Sequence, residues 1–188
     1  FSKLGYQINN TAIISGEVTY MNYLAHQAGG LTDSMFNNDP FQSNRERNWF
    51  EVNWLLYNLK FSKTFANKAD FTFSFFGLNA LRNAIGFRTN RSDQVDSMEE
   101  RDLIKGKFQN FGFEARYLNA YKIKSKDATF LIGSKFYKAH NTNIQGPGTN
   151  GSDANFNLQS DVYPNYPNQS YYTLPNLNIS LFGENIFY

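Results

Sequence analysis

Along residues 12–24 the chain alternates, with Ile14, Gly16, Val18 and Tyr20 small or apolar and Ser15, Glu17 and Thr19 polar between them. Successive side chains of an extended strand point to opposite faces, so a period of two predicts a strand with one apolar and one polar face. The pattern recurs at Phe71, Phe73 and Phe75 against Thr72 and Ser74, and at Phe111, Phe113, Ala115 and Tyr117 against Gly112, Glu114 and Arg116. Near the end, Leu177, Ile179 and Leu181 alternate with Asn176, Asn178 and Ser180. Two segments blur it: Trp54-Leu55-Leu56-Tyr57 and Phe130-Leu131-Ile132 are apolar on both faces. Asn58 and Lys60 need water or polar partners, which assigns Leu55, Tyr57, Leu59 and Phe61 to the apolar side.

The connections between these strands fall into two classes. Links at residues 7–10, 64–68 and 124–127 are short, whereas those at 27–46, 88–104 and 142–172 are long and rich in Asn, Asp, Gly and Pro. Short and long alternate strictly. An antiparallel up-and-down meander with one trimmed rim and one elaborated rim has this signature, as in outer-membrane barrels. The expected fold is therefore all-β: an antiparallel transmembrane β-barrel meander with about six full strands.

Composition agrees with that reading. Aromatic residues are 18% of the 188, with Phe 19 and Tyr 12, yet hydrophobic residues total only 41% and the mean hydropathy is -0.54. A barrel wall reconciles these values, because half of each strand faces a wet lumen. A soluble β-sandwich would leave such aromatic faces prone to aggregation, and its strands would be nearer the usual length of about 5–6 residues. No run approaches the roughly 18 apolar residues of a membrane helix, so a bilayer crossing here needs strands. Tyr20, Tyr23, Trp49, Tyr117 and Tyr121 are expected near the headgroups. The start, Phe1-Ser2-Lys3-Leu4, has no leader pattern, and both ends read as cuts in a longer exported protein.

Candidate chemistry is sparse. A net charge of +2 without a basic block argues against nucleic acid, and the absence of cysteine excludes disulfides and thiolate metal sites. His26 and His140 have no catalytic or metal-binding spacing, so no catalytic residue, metal or cofactor is expected and the chain does not read as an enzyme. Glu99-Glu100 beside Arg101 and Asp102 reads as a solvated, self-neutralising cluster, and residues 146–151 as a flexible, Gly-rich external loop. Glu17, Glu114 and Arg116 should face inward, since Arg facing lipid at mid-depth costs about 2–4 kcal/mol. Arg82 and Arg88 have lumenal parity if Phe71, Phe73 and Phe75 face lipid, and Arg91 and Arg101 follow in the same long link. These four are the candidate ligand-binding residues, because converging guanidinium groups hold carboxylates bidentately. The competing reading pairs them with Asp93, Asp96, Glu99 and Glu100 as structural salt bridges.

Several phrases are more specific: Arg47-Asn48-Trp49-Phe50-Glu51-Val52, Phe76-Gly77-Leu78 with Gly86-Phe87-Arg88, Arg101-Asp102-Leu103-Ile104, Gln145-Gly146-Pro147-Gly148, Tyr166-Pro167-Asn168-Gln169-Ser170 and Phe182-Gly183-Glu184-Asn185-Ile186-Phe187. Together they resemble the barrel of Bacteroidetes-type TonB-dependent receptors, in particular those similar to ferric dicitrate receptors. The resemblance covers most of the chain and implies that residues 1–188 are part of a barrel of about 22 strands with a plugged lumen. It also implies the outer membrane, a ferric chelate as ligand, outer-membrane lipid around the wall, and TonB engaged through an N-terminal region absent from this chain. Three other readings stay open: a receptor for an oligosaccharide or peptide working with a surface lipoprotein, a passive porin, and a soluble β-sandwich binding module.

Overall fold

The computed structural model describes every residue except 28 and 90. Seven strands are connected in sequence order: β1 (Ser2–Asn9), β2 (Ala12–His26), β3 (Trp49–Thr64), β4 (Asp70–Gly86), β5 (Asp102–Ile123), β6 (Lys126–Pro147) and β7 (Ser170–Phe187). One six-residue helix, α1 (Asp33–Asn38), interrupts the link between β2 and β3. Each strand pairs antiparallel with its sequence neighbours in one sheet of order β1 to β7, so the fold is an up-and-down meander. The sheet does not close on itself, and β1 and β7 form its edges.

Seven strands stand where the alternation predicts about six, because residues 2–9 pair with β2 although residues 7–10 read as a link. The turn is confined to Asn10 and Thr11, with the Asn9 side-chain carbonyl accepting from the Thr11 amide and hydroxyl at 2.9 Å each. A second tight turn leaves only residues 124–125 outside the ladder, with Lys124 at φ 57. In the third, Phe65 N–H bonds to Ala69 at 2.8 Å. Strict antiparallel order places all three turns at one rim, as expected.

At the opposite rim the strands outrun the sequence expectation. β5 already begins at Asp102 and β6 continues to Pro147, so the second and third long links shrink to residues 87–101 and 148–169, while the first spans 27–48. Residues 28 and 90, which fall within two of the expected links, lie outside the described residues. Gly146, Pro147 and Gly148 are buried, and the first two complete β6 rather than open a flexible loop.

Register sorts the side chains as the period of two requires, since residues directly opposite share a face. One face carries Leu59, Phe75, Phe113, Phe136 and Ile179 in a single row across β3 to β7, with Gly16 of β2 aligned. Ring centroids stand 5.1 Å apart for Phe113 and Phe136, 6.2 Å for Phe73 and Phe113, and 5.8 Å for Tyr57 and Phe75. This aromatic face extends on β5 from Phe111 to Tyr121. The other face carries Glu17, Asn58, Lys60, Ser74, Glu114, Arg116 and Lys135 near the tight turns. Lys3 meets Glu17 there at 2.6 Å, and Arg116 pairs with Glu114. The two sets assigned to opposite sides from sequence therefore do lie on opposite faces.

The both-sided run at Trp54–Tyr57 has a physical reason. Toward the long links the polar face itself turns apolar, with Met21, Trp54, Ala80 and Phe108 in one row and Leu56 and Leu78 in the next.

Candidate functional site

The long links do not hang free; two buried arginines tie all three together. Arg47, in the first link, donates from Nε to Asp96 at 2.8 Å and from its Nη atoms to the carbonyls of Glu99 at 3.1 Å and Asn150 at 2.8 Å. Arg101, at the end of the second, is fully buried. It donates to the carbonyls of Thr149 at 2.9 Å, Arg47 at 2.9 Å and Asp153 at 2.8 Å, and to the Thr149 hydroxyl at 2.7 Å. Two cations so close are tolerable because Asp96 pairs with Arg47 and Asp153 lies 3.5 Å from Arg101. Burial works against the Asp96 carboxylate, yet its hydrogen bonds from Arg47 and from Met98 N–H hold it below the usual carboxylate range. Burial pushes the Arg101 guanidinium down from its ordinary value, with Asp153 opposing.

Asp102 forms a second hub at the first residue of β5. It is buried and accepts from Arg88 at 3.0 Å, from Gln145 at 3.1 and 3.2 Å, and from the Tyr166 hydroxyl at 3.1 Å. Burial raises the Tyr166 phenol to about 12, and the Asp102 charge adds to the shift. Only the neutral phenol can donate to Asp102, so this attachment is complete below the ordinary tyrosine value of about 10 and lost as pH rises through the folded-state value. In the full-length protein, the protection of amides in the last link, taken relative to the intrinsic rise of exchange with pH, should therefore fall between pH 10 and about 12, and Tyr166→Phe should remove that step. An exchange profile of the variant that still shows the step would dissociate Tyr166 from it.

Beside this hub lies a cavity of about 260 Å³ lined by Arg45, Asn48, Ala84, Gly86, Arg88, Asp102 and Ile104. The Asn48 side-chain amide seals one wall by pairing with the Phe87 backbone, accepting at 2.8 Å and donating at 3.2 Å. Gly86 is required for that approach, because a Cβ there would lie 2.2 Å from the Asn48 side chain. One same-face row further from the links is Arg82, whose guanidinium carbon stands 5.5 Å from the Phe50 ring centroid. It borders a larger cavity of about 610 Å³. Among the described residues no carboxylate lies within ion-pair distance of Arg82 or Arg45.

The four arginines singled out from sequence are thus dispersed. Arg82 and Arg88 line adjoining cavities on the polar face, and the Arg88 side chain stays 58% exposed despite its bond to Asp102. Arg91 pairs with Asp93 at 3.2 Å on the outer surface of its link. Arg101 is turned into the link core, so it does not neutralise Glu99-Glu100 in a solvated cluster. Arg45 and the apolar wall around Phe50 and Phe108 were missed. The doubly apolar run at Trp54–Tyr57 was the one available signal for the wall, and none in the spacing marked Arg45.

The chain is similar to a ferric citrate transporter, FecA. The crystal structure of FecA in its unliganded form matches with a TM-score of 0.70 and 15% sequence identity over 98% of this chain. The match covers 26% of FecA, so this chain spans about a quarter of that transporter's length. The likeness to FecA is one of fold. No family model and no curated protein sequence matches the chain.

Proposed function

We propose that residues 1–188 form part of the barrel domain of an outer-membrane, TonB-dependent receptor that imports a ferric chelate bearing carboxylates. The observation that carries the reading is the contrast between the two sheet faces. On the aromatic face, residues 111–121 of β5 match the roughly 9–11 residues with which a tilted strand crosses a bilayer. On that face Lys105, Lys107 and His140 lie beyond the band, toward the long links, Lys138 lies at its edge opposite Phe111, and Lys63 lies toward the tight turns in the row of Phe71 and Tyr117, near the rims where long side chains reach water. β5 and β6, at 22 residues each, then project well past the membrane and carry the linked loops outward. The polar face becomes the lumenal wall.

Unpaired edge strands are prohibitive in lipid, so β1 and β7 pair with further strands of the parent barrel in this reading. Contact with TonB and any plug is assigned to residues beyond this chain. The fold shared with FecA supports transport, and the arginines on the lumenal wall favour an anionic cargo over a neutral one. Arg82 and Arg88 are the proposed ligand contacts; Arg101 holds the loops that shape the mouth, and Arg91 lies outside it.

Losing a charge-assisted hydrogen bond costs about 1.5–3 kcal/mol, so Arg82→Ala or Arg88→Ala in the full-length receptor should weaken ferric dicitrate binding by roughly tenfold or more. Calorimetry on purified receptor checks this. Unchanged affinity in both variants, or uptake of a neutral oligosaccharide in place of any ferric chelate, would transfer the assignment to a nutrient receptor.

A further inference from the structure

The larger cavity on the polar face differs in chemistry from the mouth above it. Phe50, Trp54, Leu78, Phe108, Met21 and Tyr23 surround it, and Arg82 is its one charged lining residue. Small residues make the space. Ala80 lies opposite Phe108 in the ladder, and Gly106 lies opposite Arg82. A Cβ on Gly106 would come within 2.9 Å of the Phe108 ring, so the absence of a side chain there lets that ring lie down over Gly106 and form one wall of the cavity, with Ala80 beside it. Its volume of about 610 Å³ is that of a small-molecule site rather than a packing defect.

We propose that this cavity is a subsite for an aromatic or alkyl arm of the imported anion, with the arm against Phe50, Trp54 and Phe108 and the anionic head toward Arg82. The inference rests on the polar face being the ligand side of a receptor wall. Two observations select such a ligand. Phe50 stacks under a guanidinium that has no carboxylate partner among the described residues, so an entirely apolar occupant would bury that charge uncompensated. A neutral sugar meets the opposite difficulty. Apart from Arg82, the cavity side chains offer it only the Tyr23 hydroxyl and the Trp54 indole N–H, leaving most sugar hydroxyls unpaired. An amphiphilic anion satisfies both halves. Arg82 also lies one same-face row from Ala84, which lines the mouth cavity together with Arg45 and Arg88.

The test uses the full-length receptor in lipid nanodiscs and compares ferric dicitrate, the ferric complex of 2-hydroxybenzoate, and iron-free 1-naphthoate by calorimetry. The arylcarboxylate chelate should bind roughly tenfold more tightly than ferric dicitrate, and Ala80→Leu, which fills the floor, should abolish that preference. Should Ala80→Leu fail to fold, Phe108→Ser reads the same ratio. Equal binding of the two chelates by the wild type overturns the subsite and leaves the ferric receptor reading intact. So does a variant that weakens both chelates alike, or one that loses stability while keeping the ratio, as expected if another segment of the polypeptide fills the cavity. Binding of 1-naphthoate without either chelate keeps the subsite and overturns the iron reading. Binding of none of the three overturns both.

Discussion

Arg101→Met should free the three long links from one another while leaving the sheet intact. The guanidinium makes four hydrogen bonds that join Arg47, Thr149 and Asp153, residues from the first and third links, to the end of the second. Methionine keeps much of the aliphatic volume but takes the side-chain donor from the carbonyls of Arg47 and Asp153, while the Thr149 carbonyl keeps only the Arg101 backbone N–H at 3.3 Å. Breaking a buried charged network by removing one partner costs about 3–5 kcal/mol, which corresponds to roughly a hundredfold or more in a local opening equilibrium. Amide exchange across residues 148–169 of the full-length protein should accelerate by about that factor. Exchange within β5 and β6 near the tight turns should not change, because those amides belong to ladders that Arg101 does not touch. Arg101→Lys should rescue little, since one ammonium cannot span acceptors placed for a planar fork. If both variants exchange as the wild type does, the links are held by other contacts.

Phe113→Arg should cost more than any other single change considered, because two penalties add. Phe113 stacks on Phe136 at 5.1 Å and on Phe73 at 6.2 Å, in the middle of the aromatic band. Each aromatic pair contributes about 0.5–1.5 kcal/mol beyond the area it buries. An arginine facing lipid at mid-depth costs about 2–4 kcal/mol more. Ser74→Arg is the control: Ser74 sits on the opposite face, paired in the ladder with Glu114, which gives a new guanidinium a carboxylate partner. The folded fraction of full-length protein recovered in the outer membrane, read from heat-modifiable gel mobility, should fall sharply for Phe113→Arg and stay near wild type for Ser74→Arg. The reverse ranking would interchange the lipid and lumenal faces.

Alternation along the chain was sufficient for six of the seven strands, the faces of their regular stretches and the rim that gathers the short turns. Those features are local, since a period of two and a two-residue turn are written within a few neighbouring residues. Strand ends at the other rim were not readable. Arg101-Asp102 and Gly146-Pro147 have the composition of a loop, yet the ladder between Asp102 and Pro147 continues to the end of both strands. The extra strand β1 does carry the alternation, with Leu4, Tyr6 and Ile8 against Lys3, Gly5 and Gln7, but the run is short and its last residues, 7–9, have the composition of a link until pairing with β2 extends it.

The arginines mark the boundary most clearly. Parity along β4 placed Arg82 on the polar face, and the ladder keeps it there. The fates of Arg88, Arg91 and Arg101 depended on which carboxylate or carbonyl came within reach. Sequence proximity favoured Asp93, Asp96 and Glu99, and Asp93 does take Arg91; Arg88 instead finds Asp102 across the strand end, and Arg101 finds partners 48, 52 and 54 residues away. A charged side chain inside folded loops takes whichever acceptor packing delivers, because leaving it unpaired there costs several kcal/mol, and packing is set by the whole rim at once. The same holds for the apolar cavity. Its aromatic walls come from three strands, and only their alignment around Ala80 turns separate hydrophobic residues into one open-sided cavity.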